Sequence, residues 1–124
     1  MNEQQQAKIK ELLKSMAQDL GSRLRKKKYK VFNHPTMSSI FVFMHGDPEP
    51  LRIDFLQRTE DRSLCMYLKH RLNDIRDDHE MWLSLVDVIE SKQIYYRFER
   101  YYGDVASYFL LPRKSISTTK KKGK

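Results

Sequence analysis

Two strand-length blocks flank a turn that no helix can enter, and this limits the chain more than any other feature. Residues 38–44 read Ser-Ser-Ile-Phe-Val-Phe-Met, rich in β-branched and aromatic side chains on both faces of a strand. Gly46-Asp47-Pro48-Glu49-Pro50 follows, and two prolines so close together cannot lie in a central ladder. Leu51, Ile53 and Phe55 then alternate with Arg52 and Asp54, the period-two pattern of a half-buried strand returning antiparallel. The middle of the chain therefore calls for an antiparallel sheet.

The flanks add helices and further strands. Ile9, Leu12, Leu13, Met16, Leu20 and Leu24 carry the spacing of one amphipathic helix face. Gly21 either ends that helix or admits a close approach by another part of the chain. Tyr29 to Phe32 makes a short strand. The stripe Leu64, Leu68, Leu72 and Ile75 predicts a second helix, capped by Asp61 or Ser63. Trp82, Leu85, Val86 and Ile89 predict a third, with Asp77, Asp78 and Glu80 in its first turn, where the helix dipole favours acids. A hairpin closes the pattern: Ile94 to Tyr102, a Gly103-Asp104 turn, then Val105 to Leu111.

The order is α-β-β-β-α-α-β-β, an α+β class with an antiparallel sheet of four to five strands packed against about three helices. Residues 1–112 form the one domain, and 113–124 read as a disordered Lys-rich tail. The expected core is Leu12, Leu13, Met16, Leu20, Ile40, Val42, Ile53, Phe55, Leu68, Leu72, Trp82, Leu85, Val86, Ile89 and Phe98.

Composition narrows the partners. The 124 residues carry a formal net charge of +8, with a single cysteine and so no internal disulfide. Residues 1–30 hold nine Lys or Arg against three acids, and 113–124 hold six with none. The intervening body has nine basic residues against thirteen acids. Two basic ends beside a mildly acidic body fit contact with phosphates. The longest apolar run, residues 40–44, is too short to span a membrane. The first residues lack the apolar stretch of a leader, so a cytoplasmic protein is expected.

Two segments carry the candidate site. Arg23, Arg25, Lys26, Lys27, Lys28 and Lys30 supply charge density for a nucleic-acid backbone, joined by Arg113 and Lys114 from the tail. Tyr96, Arg97, Arg100, Tyr101 and Tyr102 lie in a segment, 95–109, that holds seven of the fourteen aromatic residues. Bases stack on such rings and guanidinium planes. Ideal alternation puts Tyr96, Phe98, Arg100 and Tyr102 on one face, and Tyr95, Arg97, Glu99 and Tyr101 on the other. A winged helix-turn-helix is disfavoured on charge, because Asp78, Glu80, Asp87 and Glu90 on its recognition helix would meet phosphates.

Catalytic signals are thin. Asp54 and the Glu90-Ser91-Lys92 triplet match the elements of a metal-dependent nuclease only loosely. His34, His45, His70 and His79 lack metal-ligand spacing, Cys65 reads as a small core residue, and no glycine-rich phosphate loop exists. The expectation is a non-catalytic nucleic-acid-binding protein of low sequence specificity, with no metal or cofactor. The alternative is a protein-interaction module using an exposed aromatic hairpin, whose edge also suits a homodimer.

Overall fold

The structure, a computed structural model, describes residues 2–43, 49–69, 79–102 and 105–112. Helix α1 (Glu3–Lys26) is followed by strands β1 (Lys30–Asn33), β2 (Ser39–Phe43), β3 (Leu51–Gln57) and β4 (Leu64–Lys69). Helix α2 (His79–Ser91) and strands β5 (Ile94–Tyr102) and β6 (Val105–Pro112) complete the fold. All six strands join one antiparallel sheet in the order β1-β2-β3-β4-β6-β5.

Local chemistry explains the ends of α1. Asn2 accepts from the Gln5 amide at 2.8 Å while the Gln5 side chain accepts from the Asn2 amide at 3.1 Å, a reciprocal cap. At the other end the Tyr29 amide donates to the Leu24 carbonyl and the Lys28 amide to that of Arg25. Lys28 takes φ 77° to close this reversal, in the position where glycine is usual. Gly21 does not end the helix. A side chain there would meet the Asn33 Oδ1 at 3.2 Å and the Val31 Cγ1 at 3.5 Å, so the glycine admits β1.

Two helices stand among the described residues where three were expected, and six strands where four or five were. The segment read as a helix from Leu64 is strand β4 as far as Lys69; Leu72 and Ile75 lie outside the described residues. Leu64 and Leu68 are four apart, which places them on one side of a helix and equally on one face of a strand. Asp61 and Ser63 accordingly shape the β3–β4 turn rather than a helix start. The Ser63 hydroxyl donates to Asp61 at 2.7 Å and its amide at 3.1 Å, and these bonds hold the Asp61 carboxyl below the usual carboxylate range.

Both helices cover one face of the sheet. Leu13, Met16, Leu20 and Leu24 of α1 and Met81, Leu85, Val88 and Ile89 of α2 share a buried cluster with Val31, Ile40, Val42, Ile53, Phe55, Met66, Leu68 and Tyr108. The stripe of α2 is rotated from the expected one. Trp82 and Val86 are half-buried at its border, while Ser84 is inside, its hydroxyl bonded to the Glu80 carbonyl at 3.0 Å. Leu12 is likewise only partly buried. Phe98, expected in the core, is 39% exposed, because β5 is the outermost strand and no strand lies beyond it among the described residues.

Candidate nucleic-acid interface

The residues between the core positions of each strand point to the opposite face, on which no helix packs among the described residues. On β2, Ile40 and Val42 enter the core while Phe41 and Phe43 lie on this open face. On β3 the open-face residues are Arg52, Asp54 and Leu56. On β4 they are Cys65, Tyr67 and Lys69, and the register carries the face on to Ser107 and Phe109 of β6 and Arg97 of β5. Lys30 and Phe32 extend it to β1.

This face pairs cations with rings. The Lys30 ammonium lies 5.6 Å from the Phe32 ring centre and 5.5 Å from that of Phe43. Those two rings meet edge to face at 5.9 Å. The Arg52 guanidinium sits 5.4 Å over Phe41. Arg58 at 5.3 Å and Arg97 at 4.6 Å share the Phe109 ring. The quadrupole of each ring draws these cations and holds their planes along the surface.

Its two acids are already engaged. Asp54 accepts from Arg52 Nε at 2.9 Å and from the Ser39 hydroxyl. Glu99 takes the Arg58 guanidinium with both oxygens, at 3.2 and 3.1 Å, and this bond raises the affinity of Arg58 for its proton. Lys30, Lys69 and Arg97 make no ion pair among the described residues, so the face keeps an excess of positive charge. Glu60 and Asp61 stand within 4.0 and 3.7 Å of Arg58. At the end of the face by the β3–β4 turn the charges balance, Glu60, Asp61 and Glu99 standing against Arg58, Arg62 and Arg97, whereas the end carrying Lys30, Arg52 and Lys69 has only Asp54 against three cations. At the centre, burial pushes the Cys65 thiol and the Tyr67 phenol above their ordinary values.

The residues singled out from the sequence fall on three surfaces. Arg23, Lys26 and Lys27 line a cleft of about 520 Å³ with Asp19, Ser22, Ser84 and Asp87, on the helical side of the molecule. Arg23 is bonded there to Asp19 at 3.3 Å. Arg25 braces β1, donating to the Val31 carbonyl at 3.4 Å and to the Asn33 side chain. Lys28 forms the chain reversal, and of the basic run only Lys30 reaches the open face. Tyr96 lies on the helical side, 5.4 Å from Trp82 edge to face, whereas Arg97 is on the open face.

A bulge between Phe98 and Arg100 breaks the alternation expected along β5. Beyond it the backbone register sets Arg100 opposite Ser107, Tyr101 opposite Ala106 and Tyr102 opposite Val105. Arg113 and Lys114, the tail, and the Gly103-Asp104 turn lie outside the described residues.

Phe32, Phe41, Phe43, Arg52, Arg58, Lys69 and Phe109 were not singled out from the sequence. The signal available was the alternation itself: once Ile40, Val42 and Ile53 are assigned to the core, Phe41, Phe43 and Arg52 must lie opposite. Among the described residues no group of three His, Cys, Asp or Glu side chains could hold a metal ion, and no helix is long and apolar enough to cross a membrane. No family model, no curated protein and no solved structure matches the chain.

Proposed function

We propose that this is a non-catalytic protein that binds single-stranded nucleic acid on the open face of its sheet. The observation that supports this reading is the set of rings on that face, Phe32, Phe41, Phe43 and Phe109, each with a cation within 5.6 Å of its centre. Unpaired bases stack on rings of this kind, and the neighbouring Lys and Arg meet the phosphates that follow each base.

Geometry favours a single strand over a duplex. Six strands at roughly 4.8 Å spacing make a face about 24 Å wide, twice the ~12 Å width of a major groove. Such a face cannot reach paired base edges, but it can receive splayed bases. Phosphate contact belongs at the Lys30, Arg52 and Lys69 end, where the cations outnumber the acids, since at the other end Glu60, Asp61 and Glu99 offset Arg58, Arg62 and Arg97. The alternative reading, a module for a partner protein, draws its support from the other side of β5, where Tyr96 and Phe98 are more than a third exposed.

The test is a fluorescence anisotropy titration with a labelled single-stranded oligonucleotide and with its duplex, at about 50 mM salt, where electrostatic contacts are strongest. The single strand is expected to bind more tightly, with affinity falling as salt rises. Absence of binding to either form would end this reading.

A further inference from the structure

The two edges of the sheet are finished differently. β1 is four residues long and braced from α1 by Arg25, with Gly21 packed against it. β5 is nine residues long, contains no Pro, Gly or Lys, and pairs only with β6 among the described residues. Natural edges are blunted by just such devices as brevity, Lys or Pro. The first five residues of β5 have neither Lys nor Pro, and their one charge, Arg97, lies on the open side over Phe109.

Their side chains extend the core outward to the edge. Ile94 is buried, while Tyr96 and Phe98 are 37% and 39% exposed. Phe98 lies 5.2 Å from the Tyr108 ring, and Tyr96 joins Trp82 and Tyr108 in one aromatic cluster. The open side of the same stretch carries Tyr95 and Arg97.

We propose that a second copy of this chain pairs along the outer edge of β5, the two strands antiparallel about a two-fold axis at Tyr96. In that register Ile94 faces Phe98 of the second copy, and Tyr96 faces its own equivalent. All of these lie on the helical side, so the exposed rings are covered by apolar partners. On the open side Tyr95 faces Arg97 of the second copy, an aromatic opposite a guanidinium. Registers shifted toward the bulge fail. An axis at Arg97 sets like charges opposite each other, and an axis at Phe98 draws the bulge into the ladder. The bulge after Phe98 marks where pairing stops. Because the axis stands perpendicular to the sheet, the two open faces join on one side.

This inference stands apart from nucleic-acid binding and has its own test. Light scattering on the purified full chain, over a wide concentration range, is expected to give twice the 14.9 kDa of one chain. Tyr96→Lys is expected to give monomer with an unchanged circular dichroism spectrum. A second variant guards against misfolding. Tyr96→Cys, placed at the axis, is expected to form a disulfide-linked dimer on mild oxidation, whereas Arg97→Cys, offset from its own equivalent, is not. Cys65 is buried and stays out of the reaction. A wild-type chain that remains monomeric at every concentration would overturn the proposal, as would a dimer in which Tyr96→Cys fails to crosslink.

Discussion

The two faces of this sheet are made by alternate residues of the same strands, yet they differ in chemistry from one end to the other. On β3 the covered face takes Leu51, Ile53 and Phe55, each at most 3% exposed, and the open face takes Arg52, Asp54 and Leu56, each half-buried. On β2 the division runs between aliphatic Ile40 and Val42 and aromatic Phe41 and Phe43. A face that only needed to meet water would carry small polar side chains. Phe41 and Phe43 are instead half-buried rings with Arg52 and Lys30 laid over them, an arrangement that fits the proposed stacking surface. The covered face holds the fold together, and the open face is where the proposed ligand would lie.

The largest expected difference lies in stability. Ile53→Ala removes a fully buried side chain and is expected to cost about 2–5 kcal/mol. Arg52→Ala, its neighbour on the open face, is expected to cost no more than about 1 kcal/mol, since its ion pair is partly solvated. Chemical denaturation of the two variants measures this, and equal costs would erase the distinction between the faces.

Binding should show the reverse order. Phe32 is 50% exposed, so Phe32→Ala is expected to leave stability nearly intact while weakening single-strand affinity by about 1–3 kcal/mol. Anisotropy titration reads the second effect and thermal melting the first.

Lys28→Gly separates charge on the helical side from charge on the open face. Lys28 holds φ 77°, a conformation that costs a side-chain-bearing residue about 1 kcal/mol, so the variant is expected to gain roughly that in stability. It also deletes one charge of the basic run, and affinity for the single strand is expected to hold. A loss of affinity would shift the interface toward the end of α1. The smallest effect belongs to the open-face lysines. Lys30→Ala and Lys69→Ala are each expected to flatten the logarithmic salt dependence by about 0.7, whereas Lys26→Ala, in the helical cleft, leaves it unchanged.

How much of this was legible in the sequence depended on whether one period or two could explain a segment. Helix α1 was legible because Ile9 to Leu24 fits only the helical period, and β3 because Leu51 to Phe55 fits only the strand period. Leu64 and Leu68 fit both, and so β4 was read as a helix. The stripe of α2 was displaced because Ser84 is buried by satisfying its hydroxyl on the Glu80 carbonyl, a bond that composition does not reveal. The bulge in β5 had no glycine or proline to announce it, so the register shift between Phe98 and Arg100 was not legible. The candidate site was the least legible part. Charge density drew attention to Arg23–Lys30, but folding sends those residues to separate places. Most aromatic–cation pairs of the open face, such as Arg52 with Phe41, join residues distant along the chain.

The central claim is that a single strand lies on the open face, and amide chemical-shift mapping tests it most directly. A short single-stranded oligonucleotide is added to the isotope-labelled chain, and the perturbed amides are located on the fold. The changes are expected at Phe32, Phe41, Phe43, Lys69 and Phe109, with Leu20, Leu85 and Val88 undisturbed. Changes confined to Arg23, Lys26, Ser84 and Asp87, around the cleft between the helices, would contradict the account.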